Sequence, residues 1–305
     1  MILITGATGQ IGRHLVEELK GHKTPFKVMV RREDARVAME AKGIKAVLGD
    51  FTQPASYVAA LTGIQEVFML TTPHPDQVSQ EGAFLTAASQ AGVRRVVRLS
   101  AIGASPSSAC SLLRLHGLCE ARLDGSGIPW TILRPTMFMQ NLVPMYGTSV
   151  ATTATFYAPA GQARIPMVDT RDVAAVAAAV LTTPGHERLI YEITGPELFT
   201  YEGIADLLSS QLGRTIKFVD VPDDGAYTSM IDLGLTPWFA HGLITLFHQF
   251  RANAGTAVVM GTVPRLAGHR ARTLAAYIQE NLHAFRSPKA EAAAPAPDVP
   301  VVKKH

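Results

Sequence analysis

Short apolar runs alternate with longer helical patterns through the first half of the chain, and this alternation constrains the fold more than any other feature. Six runs have the length and composition of strands: 2–5, 26–31, 45–50, 66–72, 94–100 and 129–135. The five segments between them space their apolar residues as helices do. Because each run is too apolar for a sheet with one solvated face, we predict a parallel sheet covered by helices on both faces. The predicted fold class is α/β, with a doubly wound parallel sheet.

Three glycines follow the first predicted strand. Gly6, Gly9 and Gly12 lie three residues apart, and the helical pattern over 10–21 begins among them. In a Rossmann unit the first glycine permits the tight turn, the second allows the backbone to approach a pyrophosphate, and the third lets the helix pack closely on the strand. The free N–H groups at a helix start favour a bound anion. The loop is therefore predicted to hold a dinucleotide, although glycines also serve as plain turn residues.

The end of the second predicted strand indicates which dinucleotide binds. Sites selective for NAD place an Asp or Glu about 20 residues past the glycines, where it binds the ribose 2′-hydroxyl. This chain has Arg31 and Arg32 there, and a guanidinium can bind a 2′-phosphate. We therefore predict NADP as the cofactor, with NADPH preferred over NADH. The alternative is that both arginines are solvated or pair with the adjacent Glu33 and Asp34.

The pattern becomes less regular after Thr136. Two strand patterns and five helical patterns follow: strands over 189–196 and 215–221, and helices over 171–183, 200–213, 227–233, 238–252 and 273–285. We predict a Rossmann domain over 1–136, to whose sheet later strands return, and a smaller interleaved α/β lobe over 137–286 that binds substrate. The Ala/Pro-rich segment 287–305 is predicted to be a disordered tail, because it cannot bury enough apolar surface to order itself.

Composition argues against several classes of function. The net charge of +3 is spread along the 305 residues, so we expect no nucleic-acid partner. No apolar run reaches the roughly 18 residues of a membrane span, and the N-terminus lacks the pattern of a signal peptide. Only Cys110 and Cys119 are present, without the spacing of metal ligands, and the histidines are scattered. We expect no metal site and a cytoplasmic protein.

Several segments together resemble one known family. They are TGATGQIG (5–12), VMVRR (28–32), LGDF (48–51), LRPTMFMQN (133–141), YEITGPE (191–197), TYEGIADLLSSQLGR (200–214) and IKFVDVP (216–222). The chain resembles the NmrA-like branch of the atypical short-chain dehydrogenases/reductases, and within it the NADPH-dependent quinone and triphenylmethane dye reductases. The resemblance runs from Met1 to about Phe285.

The resemblance implies which residues contact the cofactor. They belong to the glycine loop and to the carboxyl ends of the predicted strands, where ligands bind in open α/β sheets. The implied set is Gly6, Thr8, Gly9, Gln10, Ile11, Gly12, Arg31, Arg32, Asp50, Phe51, Thr71, Thr72, Pro73, Ser100, His116, Pro135, Thr136 and Met137. Asp50 could instead serve a turn, and Thr71 and Thr72 could cap one.

The usual catalytic pair of short-chain reductases is missing. In those enzymes the Tyr of a Tyr-x-x-x-Lys pair protonates the developing alkoxide and the Lys lowers its pKa. No Tyr-x-x-x-Lys occurs in this chain; Leu112 aligns with the tyrosine and His116 with the lysine. We predict His116 and Ser100 as catalytic residues, with His116 a weak acid. Alternatively, His116 only hydrogen-bonds ribose or a backbone carbonyl. Glu120, one turn on, orients His116 or, as we expect, meets solvent.

The missing tyrosine argues against reduction of simple carbonyls but not against hydride transfer. A quinone, dye or iminium accepts hydride without a strong acid, so we predict an NADPH-dependent reductase of a small, flat, apolar or conjugated acceptor. Its predicted pocket is formed by Phe138, Met139, Tyr227, Met230 and Trp238, although each could be a core residue. The alternatives are a non-catalytic NADP(H) redox sensor and a biosynthetic tailoring enzyme. We expect a monomer or homodimer and no membrane partner.

Overall fold

The structure is a computed structural model and describes residues 1–252 and 257–286. The predicted tail over 287–305 lies outside the described residues. Within them the chain forms nine strands: β1 (Ile2–Ile4), β2 (Phe26–Val30), β3 (Ala46–Leu48), β4 (Glu66–Met69), β5 (Arg95–Leu99), β6 (Trp130–Pro135), β7 (Thr155–Ala158), β8 (Leu189–Ile193) and β9 (Lys217–Asp220).

Helices connect almost all of these strands. The described residues form twelve α-helices: α1 (Gln10–Gly21), α2 (Glu33–Glu40), α3 (Pro54–Leu61), α4 (Gln77–Gln90), α5 (Ser111–Asp124), α6 (Leu142–Thr153), α7 (Thr170–Thr182), α8 (Tyr201–Leu212), α9 (Asp223–Asp232), α10 (Pro237–Arg251), α11 (Thr262–Ala267) and α12 (Leu274–Glu280). Two short 3-10 turns cover Met139–Asn141 and Leu282–Phe285.

Seven strands form the main sheet in the order β3-β2-β1-β4-β5-β6-β8, and every pairing is parallel. The strand order reverses between β1 and β4, because the chain moves outward to β3 and then returns beside β1. Ligands of open α/β sheets bind at such a switch point, outside the carboxyl ends of the strands. The predicted α/β fold with a doubly wound parallel sheet is confirmed.

Helices bury both faces of this sheet. On one face α1 and α7 pack together, with Leu15, Leu19 and Val176 in one core cluster. On the other face α3 and α4 contribute Tyr57 and Phe84 to a second cluster. This arrangement explains why the strands are continuously apolar instead of alternating.

The second half of the chain is divided between the sheet and a separate core. β8 returns to the main sheet and pairs with β6, with Ile190 opposite Ile132. β7 and β9 form a parallel pair of their own, packed with α6, α8 and α10 around Phe156 and Tyr201.

Three elements of the second half were not predicted: α6, β7 and α11. Pro144 and Gly147 interrupt the apolar pattern of α6, although a proline in the first turn of a helix is tolerated. β7 and α11 have only 4 and 6 residues, too few for periodicity to identify them.

Candidate functional site

A cleft of about 810 Å³ lies over the switch point of the main sheet. The carboxyl ends of β1, β2, β4 and β5, the residues after β3 and the start of α1 line it. Eleven of the predicted cofactor residues lie in its wall: Gly6, Thr8, Gly9, Gln10, Ile11, Arg31, Asp50, Phe51, Thr71, Thr72 and Pro73. The structure therefore brings together most of the cofactor set in one place.

The glycine loop has the geometry that a dinucleotide requires. Gly6 has a φ of +66°, and a Cβ there would lie 2.8 Å from Cγ of Leu70. A Cβ on Gly12 would overlap the carbonyl oxygen of Gly6 and lie 2.7 Å from Cα of Ala7, so only glycine lets α1 pack this closely on the loop.

Gly9 plays a different part because it precedes α1 and lies in the cleft wall. A Cβ on Gly9 would approach only the Gly6 oxygen, at 3.3 Å, so this position faces open space. Gly9 is the N-cap residue and has no side chain that could cap the helix, and the first turn of α1 holds no acidic residue. The unpaired N–H groups at this helix start are thus available to an anion, and the loop fits a pyrophosphate.

Arg31 and Arg32 differ sharply in their surroundings. Nε of Arg32 donates to Asp34 Oδ1 at 3.0 Å, and Glu33 pairs with Arg36. Arg31 is exposed in the cleft wall and forms no ion pair with any described residue. The predicted alternative of pairing with Glu33 or Asp34 therefore holds only for Arg32. Arg31 presents a free guanidinium to the cleft.

Residues 50–52 form the rim of the cleft after β3. Asp50 Oδ1 accepts hydrogen bonds from the backbone N–H and the hydroxyl of Thr52, at 2.8 and 2.9 Å. Asp50 therefore stabilises a turn, which was the alternative interpretation of this residue. It also lines the cleft beside Phe51.

A buried polar network begins at Thr71 in the cleft wall. The Thr71 hydroxyl donates to Glu81 Oε1 at 2.5 Å, and Gln77 Nε2 donates to both groups at 2.7 Å. Arg98 on β5 donates to Glu81 through Nε at 2.7 Å and Nη2 at 3.1 Å. Arg98 and Glu81 are 0% and 1% exposed, and their pairing lowers the pKa of Glu81 despite its burial.

Sequence reasoning missed Gln77, Glu81 and Arg98. Their only signal was a charged residue within an apolar strand pattern and another in the helix before it. The network that joins them depends on how α4 packs on β5, which no local pattern reveals.

His116 on α5 lies next to Arg98, at the end of this network that is opposite to Thr71. Its Nδ1 lies 3.4 Å from Nη1 of Arg98. Burial and the Arg98 charge lower the pKa of His116 to about 3. The imidazole is uncharged at neutral pH, so the expectation that its pKa suits proton transfer near neutrality is wrong.

Ser100, at the end of β5, belongs to a second buried group. Its hydroxyl donates to Glu120, whose carboxylate also binds Arg134 through Nε at 2.9 Å. The expectation that Glu120 meets solvent is wrong, because the side chain is buried against β5 and β6. Ser100 is committed to that carboxylate and does not line the cleft.

Comparison with known proteins identifies the family. The sequence pattern of NAD(P)H-binding proteins matches residues 6–184 of this chain. The chain belongs to the NAD(P)H-binding family. An NAD(P)H azoreductase from Xenophilus azovorans is 36% identical to it over 285 residues, which are 93% of this chain and 99% of that protein. Quinone oxidoreductase 2 of Escherichia coli K12 is 27% identical over 281 residues, 90% of this chain and 96% of that protein.

Solved structures agree with these relatives. The NADPH-dependent quinone oxidoreductase QOR2 of Escherichia coli, complexed with NADPH, has a TM-score of 0.83 at 27% identity and covers 93% of this chain and 100% of its own. Citrobacter sp. triphenylmethane reductase, complexed with NADP(H), has a TM-score of 0.81 at 23% identity, covers 92% and 99%, and shares the fold. The predicted resemblance to the NmrA-like atypical short-chain reductases is confirmed, and so is the prediction of a site for NAD(P)H.

The predicted acceptor pocket of this NAD(P)H-binding protein is only partly assembled at the cleft. Phe138 lines the cleft wall. Met139 is 1% exposed within the separate core around Phe156 and Tyr201, so the prediction that it lines the acceptor pocket is wrong. The other three do not line the cleft. Tyr227 lies on α9, and Met230 packs against the separate core around Phe156 and Tyr201. Trp238 packs against a small buried cluster of Cys110, Leu112 and Leu113.

The remaining predicted cofactor residues lie outside the cleft wall. Pro135 and Thr136 are buried at the end of β6, and Met137 accepts a 3.6 Å hydrogen bond at its sulfur from the Tyr201 hydroxyl. Arg32 points to Asp34, and Gly12 acts through packing alone. The Thr136 hydroxyl has no partner among the described residues.

Within residues 1–252 and 257–286, no group of three or more His, Cys, Asp or Glu side chains could hold a metal ion. None of the described helices combines the length and apolarity needed to cross a membrane.

Proposed function

We propose that this protein transfers hydride from NADPH to a flat conjugated acceptor of the quinone or azo-dye class. The observation that carries the proposal is the cleft, where the bare start of α1 and the free Arg31 guanidinium face one space. The activities of two relatives, an NAD(P)H azoreductase and a quinone oxidoreductase, support the same acceptor class.

Different residues of the site bind different groups of the cofactor and the acceptor. The N–H groups that follow Gly9 hold the pyrophosphate, and Arg31 holds the 2′-phosphate in fork geometry. NADPH, when bound, supplies the hydride. Phe138 offers an aromatic face at the cleft wall for a flat acceptor.

The absence of a strong acid limits the classes of acceptor that this site can reduce. Leu112 stands where the catalytic tyrosine of ordinary short-chain reductases would be and packs against α10. His116 is uncharged, so it does not deliver a proton as an imidazolium. A quinone takes two electrons and one proton as hydride, and its second proton comes from water to complete the hydroquinone. A simple ketone lacks that route because its alkoxide is too basic to form without an acid.

The acceptor panel tests this proposal. Purified protein should oxidise NADPH with a naphthoquinone, forming one hydroquinone for each NADPH consumed. With an azo dye it should form one hydrazo product for each NADPH, or two amines for every two NADPH. A simple aliphatic ketone should give no turnover under the same conditions. NADPH binding without turnover on any quinone or azo dye would contradict the proposal and favour a redox sensor.

Arg31→Ala tests the assignment of the 2′-phosphate. Loss of a charge-assisted hydrogen-bonded pair costs about 1.5–3 kcal/mol, so affinity for NADPH should fall roughly 10- to 150-fold while affinity for NADH stays unchanged. Arg32→Ala is the matched control, because its guanidinium pairs with Asp34 and should leave both affinities alone. Calorimetric titration with the two coenzymes measures both. An Arg31→Ala protein that keeps its preference for NADPH would refute the assignment.

We also propose that the lobe over 137–286 binds the acceptor and that the protein is cytoplasmic and a monomer or homodimer. Phe138 and Asn141 belong to that lobe and line the cleft, which supports the first point. Cys110 and Cys119 are both free and buried, which fits a reducing compartment.

A further inference from the structure

A continuous buried path joins the cleft wall to His116. It runs from the Thr71 hydroxyl through the Glu81 carboxylate to the Arg98 guanidinium and ends at the imidazole. We propose that the Arg98–Glu81 pair is a positioning device that fixes hydrogen-bond polarity at both ends of this path. It makes Thr71 an acceptor toward the cleft and His116 a donor through Nε2–H. The use of these two groups in catalysis rests on the proposed reductase function; the polarity itself does not.

The Thr71 end follows from the donors and acceptors present. A carboxylate paired with Arg98 accepts hydrogen bonds and donates none, so the single hydroxyl proton of Thr71 is committed to Glu81. Gln77 Nε2 occupies one lone pair of the Thr71 oxygen. The second lone pair of the Thr71 oxygen is the hydrogen-bonding group that this hydroxyl still offers to the cleft. A ligand group that meets Thr71 must therefore donate, as a ribose hydroxyl or a carboxamide NH2 does.

The His116 end follows from the chemistry of arginine. A guanidinium only donates and stays charged, so the Nδ1 that faces Nη1 of Arg98 must carry the lone pair. A neutral imidazole with a bare Nδ1 holds its proton on Nε2. A proton on Nδ1 would instead point at a fixed positive charge.

The charges around His116 act in the same direction. Arg98 of β5 and Glu81 of α4 are the charged groups that influence its ring among the described residues. On its own helix Glu120 is one turn away and is bound to Arg134 and Ser100. Arg98 holds its carboxylate partner through two hydrogen bonds, so its remaining contacts to the Leu99 carbonyl and to His116 are fixed in place. The imidazole can therefore serve as a neutral hydrogen-bond donor to an acceptor oxygen, without transferring a full proton.

Nitrogen-15 NMR of the cofactor-free protein with labelled histidine tests the polarity directly. The His116→Gln spectrum identifies the His116 signals among those of the ten histidines. We expect the Nε2–H tautomer alone, with no titration from about pH 5 to pH 8. An Nδ1–H tautomer, or protonation near the ordinary pKa of 6.5, would overturn the proposal.

Two arginines on the same strand provide a matched pair of variants. Arg98→Met should shift the His116 titration toward neutral pH and mix its tautomers. Arg95→Met should leave the His116 signals unchanged, because Arg95 bonds Glu66 and the Val180 carbonyl instead. Equal effects of the two substitutions would refute a specific role for Arg98. The wild-type spectrum decides the matter if either variant fails to fold.

The Thr71 end has its own measurement. Thr71→Val should lower affinity for NADPH roughly three- to tenfold, and Thr71→Ser should restore it, because serine keeps the acceptor lone pair. Unchanged affinity in the valine variant would overturn the acceptor role. These readouts are separate from turnover: a confirmed tautomer in a protein that reduces no quinone would refute the proposed function and leave the polarity standing.

Discussion

Gly12→Ala is expected to lower affinity for NADPH by at least about tenfold and to destabilise the fold by roughly 1–3 kcal/mol. The added methyl would overlap the Gly6 carbonyl oxygen and lie 2.7 Å from Cα of Ala7, and both contacts are backbone atoms. Neither can rotate aside as a side chain could. The loop or the start of α1 must move, and the N–H groups that face the cleft move with it.

Calorimetry with NADPH and thermal unfolding measure the two effects. Gly21→Ala is the control: Gly21 ends the same helix, and a Cβ there meets nothing within 4 Å. That variant should bind NADPH as the wild type does. A Gly12→Ala protein with wild-type affinity would show that close packing of α1 on the loop does not shape the cofactor site.

Arg98→Met is expected to lower the free energy of unfolding by about 3–5 kcal/mol, because it leaves the Glu81 carboxylate buried without its cation. Replacing both partners, as in Arg98→Met with Glu81→Leu, should recover most of that loss, since no buried charge then remains. Arg32→Met is the control for loss of an arginine: the Arg32 side chain is 77% exposed, and the change should stay within about 0.5 kcal/mol.

The pH dependence of the Arg98→Met effect has a definite sign. In the wild type the pKa of Glu81 is lowered, so its contribution to stability is present above the ordinary value of 4.5 and is lost as pH falls below it. In Arg98→Met burial raises that pKa, so the folded state takes up a proton and the variant regains stability as pH falls. Urea unfolding should therefore show a smaller difference between the two proteins at about pH 5 than at about pH 8. A difference that does not change with pH would contradict the account of Glu81.

The parallel sheet and the glycine loop could be predicted because their causes are local. Strand length, apolarity and the spacing of Gly6, Gly9 and Gly12 are written in consecutive residues. The position of Arg31 also followed from counting along the chain. Its freedom from Glu33 and Asp34 did not, since it depends on Arg36 and Arg32 occupying those carboxylates.

The errors concern residues whose partners are remote in sequence. Glu120 lies on a helix face that reads as solvated, and Arg134 on β6 buries it. Met139 reads as a pocket residue, and the core built by α6 and α8 encloses it. The pKa of His116 is set by Arg98, which β5 places beside α5. Side-chain contacts between elements that are distant in sequence determine the surroundings of these residues, and sequence periodicity gives no information about such contacts.

We propose that the cleft at the switch point binds NADPH through the start of α1 and Arg31. Calorimetric titration of the wild-type protein with NADPH and with NADH in low-salt buffer tests it most directly. We expect one NADPH bound per chain, with NADH bound more weakly. Binding of neither coenzyme, or equal affinity for both, would contradict it.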